Sequence, residues 1–320
     1  MDAMIRVEGL TKHFPVRSGS FGRRETSVVR AVEDVDLEIE TGETLALVGE
    51  SGCGKSTTGR LILHVETPTR GRVTWFGRDL ATLGRKDFLS YRVGVQAVFQ
   101  DPWASLNPRM RAGSIILEPV LAHKHLERSE SQATLARLLH EVGLGPEHAD
   151  RFPHEFSGGQ RQRIAIARAL ALAPRLIVLD EPLSSLDVSI RAQIVNLLVD
   201  LRRRHDLSFL LISHDLATVR YMSQRVAVMY LGRIVERAET KSLFDGPRHP
   251  YTRALFAAAL PATPGVPRAD PISGEVPSPL NPPSGCPFHP RCPIAIARCS
   301  VERPPLRLVA QDHLAACHLA

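Results

Sequence analysis

Cysteine is scarce in this 320-residue chain, five residues in all, which excludes a secreted scaffold built from disulfides. Long apolar runs are missing as well. No stretch approaches the roughly 18 residues that span a bilayer, so no segment is expected to cross a membrane. The first residues, Met1 to Val7, hold no apolar core and no cleavage site, and a secretory signal is not expected. Neither sign of charge dominates: 40 Lys and Arg stand against 34 Asp and Glu, a net charge of +6. That mild excess permits contact with phosphates or anionic lipid without requiring it. No internal repeat is evident. What is present, 43% hydrophobic and 23% charged residues, suits an ordinary globular protein, and the length suggests roughly two folded units.

Proline marks the organisation. Of 24 prolines, 13 fall between Pro261 and Pro305, a stretch that reads as an extended tail because proline breaks helices and central strands. Four of the five cysteines, Cys286, Cys292, Cys299 and Cys317, lie in or beyond it. The body is therefore expected to end near residue 260. Within it, Leu45–Val48, Leu176–Leu179 and Phe209–Ile212 are continuous apolar runs, as in parallel strands covered on both faces. Val35, Leu37 and Ile39 alternate with acidic residues, and Val226, Val228 and Tyr230 precede Leu231-Gly232. Those patterns predict half-exposed antiparallel strands and a turn. Residues 110–150 read as helical, with Leu135, Leu138, Leu139 and Val142 on one face.

The first apolar strand runs into Gly49-Glu50-Ser51-Gly52-Cys53-Gly54-Lys55-Ser56-Thr57, the phosphate-loop pattern G-x-x-x-x-G-K-[ST]. Glycines let the backbone curl so that its N–H groups face phosphate oxygens. Lys55 is expected to reach the β- and γ-phosphates, and the Ser56 hydroxyl to ligate Mg²⁺. A helix from Thr57 to about His64 would aim its positive end at the same charge. Cys53 reads as a small filler.

Two further strand ends add chemistry. Leu176–Leu179 leads into Asp180-Glu181-Pro182. Asp180 suits a Mg²⁺-bound water network, and Glu181 is placed to polarise an attacking water. Phe209–Ile212 leads into Ser213-His214-Asp215, which puts His214 where open α/β sheets bind ligands. Upstream, Ser157-Gly158-Gly159-Gln160 precedes a helical stretch, Arg161 to Ala173, that ends at Pro174. Ser157 is a good N-cap, and the glycines allow close approach to backbone. This is a second anion half-site, apart from the first, so two copies of such a protein could sandwich two nucleotides.

Taken together, Gly49–Thr57, Gln100, Ser157–Gln160, Leu176–Glu181, Ser184–Asp187 and His214 resemble, in order and spacing, an ABC-type ATPase over about residues 4–260. Phe156 stands where that family usually has Leu. The resemblance implies an α/β fold: a RecA-like core, an antiparallel β subdomain and a helical signature subdomain at about 101–173. It implies a head-to-tail dimer with ATP between the phosphate loop of one subunit and Ser157–Gln160 of the other. Glu181 would be the catalytic base and His214 would hold the γ-phosphate. Gln100 would sense metal and water, Asp187 would communicate across the dimer, and Phe14 would stack on adenine.

The type of ABC protein follows by elimination. The 102 residues from Lys55 to Ser157 leave no room for the long coiled coil of a chromosome or repair ATPase. One cassette, not two, argues against a translation factor. No membrane helices accompany it, as they usually do in exporters. Gln100–Arg109, Arg248–Leu255 and Gly285–Pro293 resemble the oligopeptide/dipeptide importer ATPases, and Gly49–Thr57 resembles the second of their paired ATPases. The expected function is therefore an ATPase powering an oligopeptide or dipeptide importer. Its partners would be a second ATPase subunit, two integral membrane permeases and, through them, an extracytoplasmic binding protein. It would sit peripherally on the cytoplasmic face of the membrane. Alternatives are another solute (nickel chelate, glutathione, oligosaccharide) or a soluble nucleic-acid-linked ATPase. Arg202-Arg203-Arg204-His205 is the only dense basic run, and a helix C-terminus explains it without nucleic acid. Residues 261–320 resemble the family's C-terminal extension. Their cysteine spacing lacks the C-x₂-C pairs of zinc sites. A [4Fe–4S] cluster on Cys286, Cys292, Cys299 and Cys317 is expected, as in some members of the importer family, with Zn²⁺ or unligated thiols as alternatives. His289, His313 and His318 read as solvated.

Overall fold

The computed structural model describes residues 3–18, 25–100, 105–123, 127–259 and 274–320. The expected boundary near residue 260 and residues 101–104 of the loop after Gln100 lie outside them. In chain order the elements begin with β1 (Ile5–Ser18), β2 (Glu25–Ile39), β3 (Thr44–Val48), α1 (Lys55–Ile62), β4 (Arg70–Trp75) and β5 (Arg78–Asp79). Next come α2 (Arg85–Gly94), β6 (Val95–Val98), α3 (Ala112–His123), α4 (Arg128–Glu141), α5 (Gly158–Leu170), β7 (Leu176–Asp180), α6 (Val188–His205) and β8 (Ser208–Ile212). Then follow α7 (Leu216–Met222), β9 (Arg225–Tyr230), β10 (Arg233–Glu239), α8 (Thr240–Asp245), α9 (Pro250–Ala259), α10 (Ala297–Val301), β11 (Arg307–Ala310) and β12 (His313–Ala315). The chain divides into two compact units: Met1–Ile39, Thr44–Thr82 and Ile212–Ala320 form one, and Glu40–Glu43 with Leu83–Leu211 form the other.

The first unit carries an antiparallel sheet in the order β2-β1-β4-β5. β2 pairs with β1 so that Ile39 faces Ile5 and Leu37 faces Val7. The period-2 pattern works as expected: Val35, Leu37 and Ile39 are buried, whereas Asp36 is exposed. A second set of strands runs β11-β12-β10-β9-β3. β3 is parallel to β9, with Leu45 opposite Arg225 and Val48 opposite Val228. Every residue of β3 is buried, which is why its sequence shows no alternation. β9 and β10 form the expected antiparallel pair about Leu231-Gly232, but β9 is not half-exposed: Val226–Tyr230 are all buried, since β9 also pairs with β3. The C-terminal extension joins this set, because β12 pairs with β10 through Glu236 opposite Ala315. The described part of the tail thus contributes two short strands and a short helix, where proline content alone predicts extended chain.

The second unit holds β8 (up to Leu211), β7 and β6, with β6 parallel to β7 from Val95–Leu176 to Val98–Leu179. Both β7 and β8 are wholly buried. Its helices start on recognisable signals. Ser157 caps α5 and Asp187 caps α6. α6 buries Ile194, Val195, Leu198 and Leu201, a spacing that keeps one face on the core. The basic run Arg202–His205 forms its last turn rather than following it, and cations there suit the helix dipole.

Candidate nucleotide site

The first unit holds the phosphate loop. β3 delivers the chain into Gly49, and α1 begins at Lys55 with Gly54 as its N-cap. Two glycines are obligatory. Gly49 has φ +152° and Gly54 φ +110°, and a Cβ on either would stand 2.2 Å from a backbone oxygen, of Met229 or Ala31 respectively. The loop is closed by Cys53 N–H donating to Glu50 O at 3.3 Å and Gly232 N–H to Cys53 O at 2.8 Å. Lys55 Nζ lies in the curl, donating to Gly49 O at 2.8 Å and to Glu50 O at 2.9 Å. Its side chain is buried, while Ser51 and Gly52 are exposed and Ser56 and Thr57 half-buried. Cys53 is buried, and burial raises its thiol pKa, consistent with a neutral filler.

His214 and Phe14 belong to the same unit. His214 is exposed just past β8, anchored by Ser213 N–H donating to Leu47 O at 3.3 Å. The next residue, Asp215, caps α7 by accepting from the N–H groups of Ala217 and Thr218. Phe14 is half-buried on β1, with the Lys12 ammonium 4.9 Å from its ring centroid.

The second unit holds the other expected groups. Asp180 ends β7 and is 8% exposed. Glu181 follows at φ +48°, a left-handed conformation unusual for a residue with a side chain and costing on the order of 1–3 kcal/mol. Ser184 secures it, donating from N and Oγ to Glu181 O at 3.3 and 3.1 Å. Strain of this kind concentrates at functional positions. Ser157 and Gln160 form a reciprocal capping box: Gln160 N–H donates to Ser157 Oγ at 3.3 Å, and Ser157 N–H to Gln160 Oε1 at 3.1 Å. Ser157 and Gly158 are exposed, so the start of α5 faces solvent. Asp187 is exposed and accepts from Ile190 N–H at 2.9 Å and Ser189 Oγ–H at 2.8 Å. Those bonds hold its carboxyl below the usual range. Gln100 is exposed, just past β6.

A glycine-curled loop on a buried parallel strand, with its lysine folded inside and a helix springing from it, defines a P-loop nucleotide-binding protein. The chain matches the ABC transporter family over residues 32–184 and the C-terminal region of oligopeptide/dipeptide transporters over 235–299. A probable peptide ABC transporter ATP-binding protein of Sinorhizobium fredii is 53% identical over 99% of this chain and 90% of its own. The oligopeptide transport ATP-binding protein AppF of Bacillus subtilis is 47% identical, covering 99% and 98%. Among solved structures, a dimeric ATP-binding cassette in a post-hydrolysis state with ADP and Pi is 27% identical, with TM-score 0.64 over 74% of this chain and 99% of that one. The ABC transporter component cbiO1 of Clostridium perfringens is 26% identical, with TM-score 0.64 over 77% and 92%. The chain belongs to the ABC transporter ATP-binding proteins, in the branch with the oligopeptide/dipeptide C-terminal region. It is an ATPase, and among its described residues no helix is long and apolar enough to cross a membrane.

The expected iron–sulfur cluster is a correction. Cys286, Cys292, Cys299 and Cys317 do line one pocket, with His249 and His289. Yet among the described residues no group of three or more His, Cys, Asp or Glu could hold a metal ion. The pocket has only about 10 Å³ open to a water-sized sphere, room for about one water. Burial also pushes the Cys286 thiol up to about 11 and raises Cys292. None of the four is in a disulfide.

Sequence reasoning also missed residues. His313 is buried, not solvated, and pairs with buried Glu236. Arg291 and Tyr251 contact the phosphate loop itself. Both lie in segments that resemble the importer family, Arg248–Leu255 and Gly285–Pro293, but the resemblance does not show what they touch, because their partners lie 201 and 241 residues away in the chain.

Proposed function

We propose that this ATPase powers import of oligopeptides or dipeptides through a pair of membrane permeases. The observation that carries this is the match of residues 235–299 to the oligopeptide/dipeptide transporter C-terminal region, together with relatives named for peptide transport over nearly the whole chain. The ATPase domain is taken as 1–260, with its helical subdomain at about 101–173, and the extension as 261–320. The protein works at the cytoplasmic face of the membrane beside a second ATPase subunit, and an extracytoplasmic binding protein presents the substrate.

Gly49–Thr57 cradles the triphosphate, and Phe14 stacks on adenine. Lys55 leaves the loop carbonyls to meet the β- and γ-phosphates. Ser157–Gln160 offers exposed backbone N–H groups and a helix N-terminus to the nucleotide of the partner subunit. Glu181 takes a proton from the attacking water, and His214 steadies the γ-phosphate. Gln100 and Asp187 link the site to permease and partner. The hydroxyl of Ser56, the carboxylate of Asp180 and the amide oxygen of Gln100 are hard oxygen donors that fit magnesium. When bound, that ion neutralises charge on the phosphates.

The test is purification of tagged Glu181→Gln protein from detergent-solubilised membranes, followed by identification of what accompanies it. Two polytopic permeases and a second ATPase are expected. Recovery in the soluble fraction with RNA, DNA or ribosomes would overturn the transport reading in favour of a nucleic-acid-linked ATPase.

A further inference from the structure

The stretch from Cys286 to Cys292 folds back onto the phosphate loop within the first unit. Its single 3₁₀ turn, His289–Arg291, directs Arg291 at Glu50. Nη1 donates to Glu50 Oε2 at 2.9 Å and Nη2 to Oε1 at 3.0 Å, the two-pronged geometry of the strongest charge-assisted pairs. The Arg291 side chain is 5% exposed and that of Glu50 25%. Nη1 also reaches Tyr230 Oη at 3.4 Å. The backbone of Glu50 is held as well, because its N–H donates to Tyr251 Oη at 2.8 Å. Phe288 locks the assembly, its ring edge-on to Tyr230 and tilted on Tyr251 at centroid distances of 5.4 and 5.5 Å.

Glu50 is the first residue after Gly49, so a carboxylate sits in a loop built to receive a triphosphate. Alone it would repel that ligand and be free to swing toward it. The fork of Arg291 cancels its charge and holds it in place. We propose that Arg291 of the C-terminal extension is a positioning residue for the nucleotide: by neutralising and holding Glu50, it makes the ATP affinity of the phosphate loop depend on the extension. This rests on the reading that Gly49–Thr57 binds the phosphates of ATP.

The test is ATP titration of the full-length chain, using a fluorescent ATP analogue displaced by ATP, with steady-state kinetics alongside. Arg291→Gln leaves an uncancelled negative charge and should weaken ATP roughly tenfold, as expected for one like charge near the ligand at the effective dielectric of a protein surface. The loss should appear in KM far more than in kcat. Glu50→Gln leaves an uncancelled positive charge and should tighten binding about twofold or more by the same electrostatics. The double variant should return close to the parent. A merely structural pair gives a different pattern, in which both single variants weaken ATP; that result, or Arg291→Gln binding like the parent, overturns the proposal. If Arg291→Gln does not fold, as judged by circular dichroism, the sign of the Glu50→Gln effect decides alone. A parent chain that binds no ATP would instead bring down the reading of the phosphate loop.

Discussion

His313 and Glu236, 77 residues apart, meet at 2.6 Å where neither reaches solvent: their side chains are 3% and 0% exposed. Glu236 also accepts from the backbone N–H groups of Arg248 and His249, at 2.5 and 3.0 Å. One buried carboxylate thus ties together β10, the start of α9 and β12 of the C-terminal extension. Breaking a buried pair by removing one partner exposes the other to an uncompensated cost. His313→Ala should therefore destabilise the chain by about 3 kcal/mol. Thermal unfolding followed by circular dichroism checks this; an unchanged Tm would mean that the extension is not tied in through this contact.

Gly54→Ala tests the cradle. The added Cβ would meet Ala31 O at 2.2 Å on a backbone at φ +110°, so the loop must open. ATP binding should fall below detection, with about 1–3 kcal/mol lost in stability from forcing that conformation. Isothermal titration with ATP and a melting curve separate the two effects. Retained affinity would show that the loop conformation is not what holds the phosphates.

Much of this was legible in the sequence because the relevant signals are local. Continuous apolar runs gave β3, β7 and β8, and alternation gave β2. The loop Gly49–Thr57 and the cap at Ser157 are each contained in a few residues, so spacing alone finds them. The grip of Arg291 on Glu50 and of His313 on Glu236 was not legible. Each depends on a long-range return of the chain that no short pattern encodes. The cysteines misled for the opposite reason: they do gather at one pocket, but whether a group of side chains can hold a metal is a tertiary property that spacing does not encode.

Glu181→Gln keeps shape and removes the base. Hydrolysis should drop about 10²–10⁴-fold, the usual contribution of a positioned acid or base, while ATP binding persists. Phosphate release measured beside equilibrium ATP binding checks both halves. Hydrolysis at the parental rate would remove Glu181 from the role of base.

Ser157→Ala separates a cap from a ligand. Losing the hydroxyl that accepts from Gln160 N–H should cost about 1 kcal/mol of stability. If Ser157 also meets a partner subunit's ATP, hydrolysis should fall much further than that loss of stability explains. Ser157→Asp keeps a capping oxygen but adds negative charge. It should melt near the parent temperature yet fail in ATPase assays. Should the Asp variant hydrolyse ATP normally, the exposed start of α5 faces no phosphate.

His249 makes stability depend on pH. It is 1% exposed, and burial, with a smaller push from Arg253, lowers its pKa to about 4 from an ordinary 6.5. Its Nδ1 accepts from Tyr251 N–H at 3.1 Å, a bond that a protonated ring cannot accept. Below pH 6.5 the unfolded chain takes up a proton here and the folded chain does not, so the unfolded state gains on acidification. The contribution of this group is therefore full above about pH 6.5 and declines until pH reaches about 4. A difference of about 2.5 units corresponds to roughly 3 kcal/mol. Denaturant unfolding of the parent and of His249→Gln at pH 7.5, 6, 5 and 4.5 (all approximate buffer values) isolates the term. The parent should lose stability over this window more steeply than the variant. Parallel slopes would show that His249 titrates in the folded chain as it does in water, and that the packing of Tyr251 and Phe288 around it is looser than its burial implies.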